Sequence, residues 1–277
     1  MIADFAAVGT LAAVDILIRQ DVKDGSLGTV ILLGGLFGGG AGGYLLTQKY
    51  DVDAGAAHAT TIGLIAGAAN GAFLVKPILE PNYDAEDVVG LLFIGSAIGA
   101  GAGFAYGQAA DLTEGQSTFI GNAVLLGTST AALTAILGSR NGQYDNWENG
   151  TLAIGLDAGI LGGALLAPQL NWSKKRSRIV LAGTVLGALA GGMVAGLTTD
   201  KREDMTGDDG EYNGNVIAGC MTAGLWAGFG LGILMSRDYA PDPSFNKGPA
   251  PRATGTSTSF APFVGQRAMG VTAGGTW

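Results

Sequence analysis

Residues 88–107 read VVGLLFIGSAIGAGAGFAYG, twenty consecutive residues without a charge and with glycine at 95, 99, 103 and 107. Twenty helical residues rise ~30 Å, the thickness of the hydrocarbon core of a bilayer. Spacing of four places the glycines on one helical face. In water each would cost a helix ~1 kcal/mol relative to alanine. Between membrane helices, small residues let the backbones approach closely. VVGLLFIG does not alternate polar with apolar, so the run predicts a helix rather than a strand.

Six further runs of similar length lie at 27–47, 59–79, 116–138, 151–169, 179–198 and 214–236. Each carries the same stripe: Gly35, Gly39 and Gly43; Gly63, Gly67 and Gly71; Ala123, Gly127 and Ala131; Gly155, Gly159 and Gly163; Gly183, Gly187 and Gly191; Gly224, Gly228 and Gly232. Gly39, Gly99 and Gly159 are 60 residues apart, as are Gly67, Gly127 and Gly187. A fixed period of this kind marks an internal repeat. It predicts a helical pair, called here a then b, with three full units over about 28–207 and a fourth a helix after them. Residues 3–18 fill the place of a truncated leading b helix.

Asp51, Asp111 and Asn171 keep the 60-residue period and are expected to cap the b helices. Asp111 with Glu114, Asp145 with Glu148 and Asp208 with Glu211 read as capping boxes. The expected fold is an all-α membrane protein of seven or eight Gly/Ala-rich transmembrane helices in tandem hairpin repeats. Its domains are a helical repeat region over 1–237, a Pro-rich linker over 238–259 and a strand-like tail over 260–277.

Composition agrees with this placement. The chain is 48% hydrophobic and 14% charged, against ~25% charged in soluble domains. The surplus of 23 acidic over 15 basic residues argues against nucleic acid as a partner. All seven tyrosines, with Trp147 and Trp172, lie at or beyond the ends of the runs, where an interfacial aromatic belt belongs.

Basic residues divide evenly between the two kinds of loop: Lys49, Lys174, Lys175, Arg176 and Arg178 between a and b, and Arg19, Lys23, Arg140, Lys201 and Arg202 between b and a. Orientation therefore stays open. Acidic residues do segregate, from Asp21, Asp24, Glu80, Asp84, Glu86 and Asp87 onward, to the b-to-a loops. Such a face attracts cations or a basic partner, or is a solvated face of helix-capping acids.

Catalytic chemistry is thin. One histidine, His58, and one cysteine, Cys220, leave no His-rich metal site or cysteine cluster and few nucleophile–base pairs. The run at 38–43, GGGAGG, lacks the lysine and hydroxyl of a phosphate loop. No cofactor, metal or catalytic residue is expected. Asp157, mid-run in TLAIGLDAGILGGALLAP, stands out because an ionised carboxylate there costs at least ~2.5 kcal/mol. Asn70, Asn122, Thr128 and Thr130 are its candidate polar partners in a proton or cation site. The other reading is a hydrogen-bonded helix contact.

Gly-xxx-Gly-xxx-Gly helices, helix starts such as DVDAG (51–55) and DLTEG (111–115), and a Gly-rich tail ending in Trp277 resemble glycine-zipper multi-span bacterial envelope membrane proteins. The resemblance implies an integral membrane location in a bacterial envelope, inner or outer, and carries over no functional residue. Its terminal aromatic is also similar to the closing strand of outer-membrane barrels. Low aromatic content, 8%, and the four-residue period oppose a barrel.

The leading expectation is a structural or assembly protein, packed through Gly39, Gly67, Gly99, Gly127, Gly159, Gly187 and Gly228, with the bilayer and homo- or hetero-oligomeric membrane proteins as partners. The alternative is a cation or proton channel or transporter using Asp157.

Overall fold

In the computed structural model, described for residues 1–79, 84–138, 146–199, 210–240, 259–265 and 268–274, eight helices follow one another. They are α1 (Ile2–Arg19), α2 (Gly25–Lys49), α3 (Ala54–Leu79), α4 (Ala85–Ala109), α5 (Glu114–Gly138), α6 (Asn146–Leu166), α7 (Lys174–Thr199) and α8 (Gly210–Met235). A 3-10 turn, Ala167–Gln169, extends α6. Seven of the helices, all but α1, are long and apolar enough to cross a membrane.

The chain divides into two compact units, Met1–Asp242 and Pro243–Trp277. In the second, β1 (Ser259–Gly265) and β2 (Ala268–Gly274) form an antiparallel hairpin, with Phe260 opposite Ala273 and Val264 opposite Met269. The Pro-rich stretch 241–258 lies outside the described residues.

Within the first unit the extensive contacts join α1 to α2, α3 to α4, α5 to α6 and α7 to α8. The tight pair is thus b followed by a, one helix out of phase with the a-then-b unit predicted above. A 60-residue period fits either phase; the backbone-to-backbone glycine contacts within α1/α2, α3/α4, α5/α6 and α7/α8 show which one is taken. The loops closing α1/α2 and opening α5 follow a Schellman-type end, in which Val22 N–H donates to Leu17 O (3.1 Å) and Leu112 N–H to Gly107 O (3.2 Å).

These turns require a left-handed residue, supplied by Asp21 (φ 45°) and Asp111 (φ 49°). Asp111 therefore does not cap α5, and Asp51 and Asn171 likewise lie three residues before their helices begin at Ala54 and Lys174. The α5 cap is Thr113, which accepts from Gln116 N–H (3.2 Å), while Gln116 Oε1 accepts from Thr113 N–H (2.8 Å). That is the capping box expected of Asp111 and Glu114, moved two residues along the chain. Ser173 Oγ accepts from Arg176 N–H (3.3 Å) in the corresponding place on α7. The proposed boxes Asp145–Glu148 and Asp208–Glu211 include Asp145 and Asp208, outside the described residues.

Each hairpin closes on glycine. A Cβ added to Gly67 would fall inside the radius of the Gly95 carbonyl oxygen, and one on Gly99 inside that of Gly63. Gly127 meets Gly155, Gly159 meets Ala123, Gly187 meets Gly224, Gly228 meets Gly183 and Gly39 meets Phe5 in the same way. Backbone against backbone, the Cα–H groups face carbonyl oxygens, contacts worth perhaps ~0.5–1 kcal/mol each.

The second, third and fourth hairpins are then joined through α5, which packs on α3, α7 and α8 as well as α6, while the first docks through α1 on α4. Its face buries Phe119, Ile120, Leu126 and Leu133. Leu112, Trp172 and Val180 complete the cluster around Phe119 and Ile120. Helix α2 packs on α1 alone among the more extensive contacts, and leaves Leu27, Val30, Leu33, Phe37 and Leu45 exposed to the lipid side.

A candidate intramembrane site at Asn70 and Asp157

Asp157 lies near the middle of the Glu148–Gln169 span and is exposed on the surface of α6. Helix α3 runs beside it and presents Asn70, whose Nδ2 donates to Asp157 Oδ1 at 2.5 Å. Asn70 Oδ1 is covered by protein and has no hydrogen-bond partner. In hydrocarbon an unpartnered amide oxygen is costly, so the arrangement holds one polar contact and one unmet acceptor at mid-membrane.

The other three candidate partners go elsewhere. Asn122 is buried and donates through Nδ2 to Ser177 O of α7 at 2.7 Å. Thr128 and Thr130 turn back on α5, donating to Val124 O and Leu126 O at 2.8 Å each. The expected set of five residues therefore reduces to Asn70 with Asp157. A hydroxyl on a membrane helix finds its nearest acceptor four residues back; Thr60, Ser96, Thr134, Thr184 and Thr222 do the same.

Asn70 also borders a groove of about 420 Å³. Its floor is the glycine trough of α3 and α4 (Gly63, Gly67, Gly95, Gly99), and Ile120 of α5 and Ile160 of α6 form part of its sides. Tyr106 closes one end, its hydroxyl donating to Ala164 O. This is a space for apolar matter beside a single amide; it offers no charge.

At the a-to-b end, polar side chains that sequence reading passed over tie successive hairpins together. Gln116 Nε2 donates to Leu170 O (3.2 Å), Ser177 Oγ to Gly115 O (2.9 Å) and Gln108 Nε2 to Asp51 O (3.1 Å). The spacing of Thr113 and Gln116 was the available signal for the first. Lys174 pairs with Glu114 across the same junction.

Trp172 is buried rather than interfacial, edge-on to Phe119 with centroids 4.8 Å apart. Tyr106 too turns inward, while Tyr44 and Tyr239 stay exposed. Tyr83 and Tyr144 lie outside the described residues, as do the side chains of Trp147 and Tyr212.

Acidic residues at the opposite end serve helix starts: Asp24 accepts from Ser26 and Leu27 N–H, and Asp84 with Asp87 forms a capping box on α4. Arg19 pairs with Asp15 and Lys23 with Asp21. Glu148, in the first turn of α6, is 2% exposed with neither carboxylate oxygen hydrogen-bonded, where the positive helix end favours an anion. Glu80, Asp145, Asp200, Glu203, Asp204, Asp208 and Asp209, with Arg140, Lys201 and Arg202, are outside the described residues.

His58 sits half-buried near the start of α3. Among the described residues no group of three His, Cys, Asp or Glu side chains is placed to hold a metal. No protein family, curated protein or solved structure matches the chain.

Proposed function

We propose that this chain is a structural membrane protein of a bacterial envelope, built as tandem 60-residue hairpins that serve as a packing scaffold within the bilayer. The observation that carries this reading is the backbone-to-backbone glycine contact in all four hairpins. It is accompanied by the return of the Thr60, Ser96, Thr128, Thr130, Thr134, Thr184 and Thr222 hydroxyls to their own helices, which leaves little to line an aqueous path. Helix α2 adds a reason to expect neighbours: Gly34, Gly38 and Gly42 face open space while Gly35, Gly39 and Gly43 are occupied by α1.

Gly99→Leu and Gly187→Leu are expected to separate their hairpins and abolish assembly. The measurement is recovery in the membrane fraction and the size of the solubilised particle. Gly38→Leu, which meets nothing in the chain, is expected to leave the single chain folded and reduce only association between copies. Normal particles from Gly99→Leu and Gly187→Leu would sink the scaffold reading.

A second reading, a cation or proton channel or transporter, is favoured by the Asn70–Asp157 contact alone. Asp157→Asn in reconstituted vesicles should then abolish ion flux. Flux unchanged by the substitution removes Asp157 from any such role.

A further inference from the structure

Lys174, Lys175, Arg176 and Arg178 bring four cations into the first five residues of α7. This is the positive end of the helix dipole, which favours anions. Four other first turns follow that preference, with Asp4 in α1, Glu86 and Asp87 in α4, Glu114 in α5 and Glu148 in α6, while those of α2 and α3 carry no acid. A local arrangement that opposes its own helix points to a compensating group.

Lys174 is answered by Glu114. Among the described residues no carboxylate lies within ion-pair distance of Lys175, Arg176 or Arg178.

The patch is built rather than loose. The Arg176 guanidinium lies 4.6 Å over the ring of buried Trp172, and Lys175 lies 5.0 Å over the ring of Tyr239, just past the end of α8. Arg237 adds a further exposed cation two residues before that tyrosine, with Asp238 at 3.6 Å as a weak counter-charge. An apolar span begins directly after the cluster, within Lys174–Leu197. The cations therefore stand at the level where a bilayer carries its phosphates.

We propose that this end of α7 and α8 binds the phosphate headgroups of anionic phospholipids. Fixed guanidinium and ammonium donors, an aromatic rim and the helix amides are the chemistry that recognises such a group. Lipid rather than a soluble anion is the occupant because the cluster borders the hydrocarbon-facing part of the same helix.

The test uses the full chain in neutral detergent, with thermal unfolding followed on adding phosphatidylglycerol, phosphatidylcholine or inorganic phosphate. Phosphatidylglycerol is expected to raise Tm by several degrees more than phosphatidylcholine. The difference should collapse at about 0.5 M salt, where screening is nearly complete over a few ångströms.

Lys175→Gln with Arg178→Gln removes two exposed cations without touching Trp172 and should lose at least half of the shift. Lys23→Gln, at the opposite end, should keep it. Equal shifts for the two lipids, a full shift in the double variant, or the same shift from inorganic phosphate would each overturn the proposal. The phospholipid that co-purifies with the wild-type chain gives a readout independent of any variant. Enrichment in anionic species is expected, and the proportions of the bulk membrane would count against the site.

Discussion

Asp111 occupies a backbone position that L residues enter at a cost, and aspartate enters it more readily than most because its short side chain bonds locally. Glycine has no such cost. Asp111→Gly is expected to stabilise the fold by a few tenths to ~1 kcal/mol, less the entropy glycine regains in the unfolded chain, as read from thermal unfolding in detergent.

The same carboxylate acts on Asp53, at the start of α3. Burial first, and then the charges of Asp111 and Asp51, push the Asp53 carboxyl above its usual range. The folded state thus holds that proton more tightly than the unfolded one. Its contribution to stability is complete below the unfolded pKa of about 4 and is lost as pH rises through the folded value. Asp53→Asn, which keeps the size and shape of the side chain, should raise Tm at neutral pH and converge on wild type in acid. A gain that persists undiminished into acid would contradict the charge explanation. Because Asp111→Gly also relieves Asp53, the two substitutions should add to less than their sum.

For single helices, much was legible in the sequence and the failures share a cause. The long apolar runs gave α2 to α8, and Asp157 with Asn70 could be singled out because polar side chains are scarce there. Asn122, Thr128 and Thr130 were equally scarce but found acceptors in neighbouring or own backbone, which residue type does not reveal. The caps were misplaced by two residues because Asp111 resembles a capping residue and instead takes a left-handed turn. Thr113 and Gln116 do the capping, and Gln116 also reaches Leu170 O from a site only 3% exposed. Gln116→Ala should therefore cost ~1–3 kcal/mol, since it strands the buried Thr113 amide and removes the donor to Leu170 O. Unfolding by denaturing detergent, compared with exposed Gln169→Ala as a near-neutral reference, checks this.

Across the first unit, connectivity sorts the hairpins by how many neighbours depend on them. Helix α5 packs on four others, whereas α2 rests on α1. Gly39→Leu is expected to release α2 alone, with new proteolytic cleavage in the loops at 20–24 and 50–53 and most of the thermal transition retained. Gly127→Leu should abolish the cooperative transition. Similar losses from both would mean that the hairpins do not stand in this order of dependence. The phase of the pairing belongs to this scale as well: a constant period of 60 residues is silent on which side each helix turns, and the contacts between whole helices show it.

Because the hairpins close through bare backbone, their contact faces are chemically almost interchangeable, and side chains hardly label the proper partner. What distinguishes α4 from α6 as a mate for α3 is chiefly the loop that delivers it. Correct pairing is then a matter of timing during synthesis: each b helix meets the a helix that emerges next, before a later and equally acceptable one exists. Chains refolded from a fully denatured state lose that sequence of arrivals and should sample exchanged pairs.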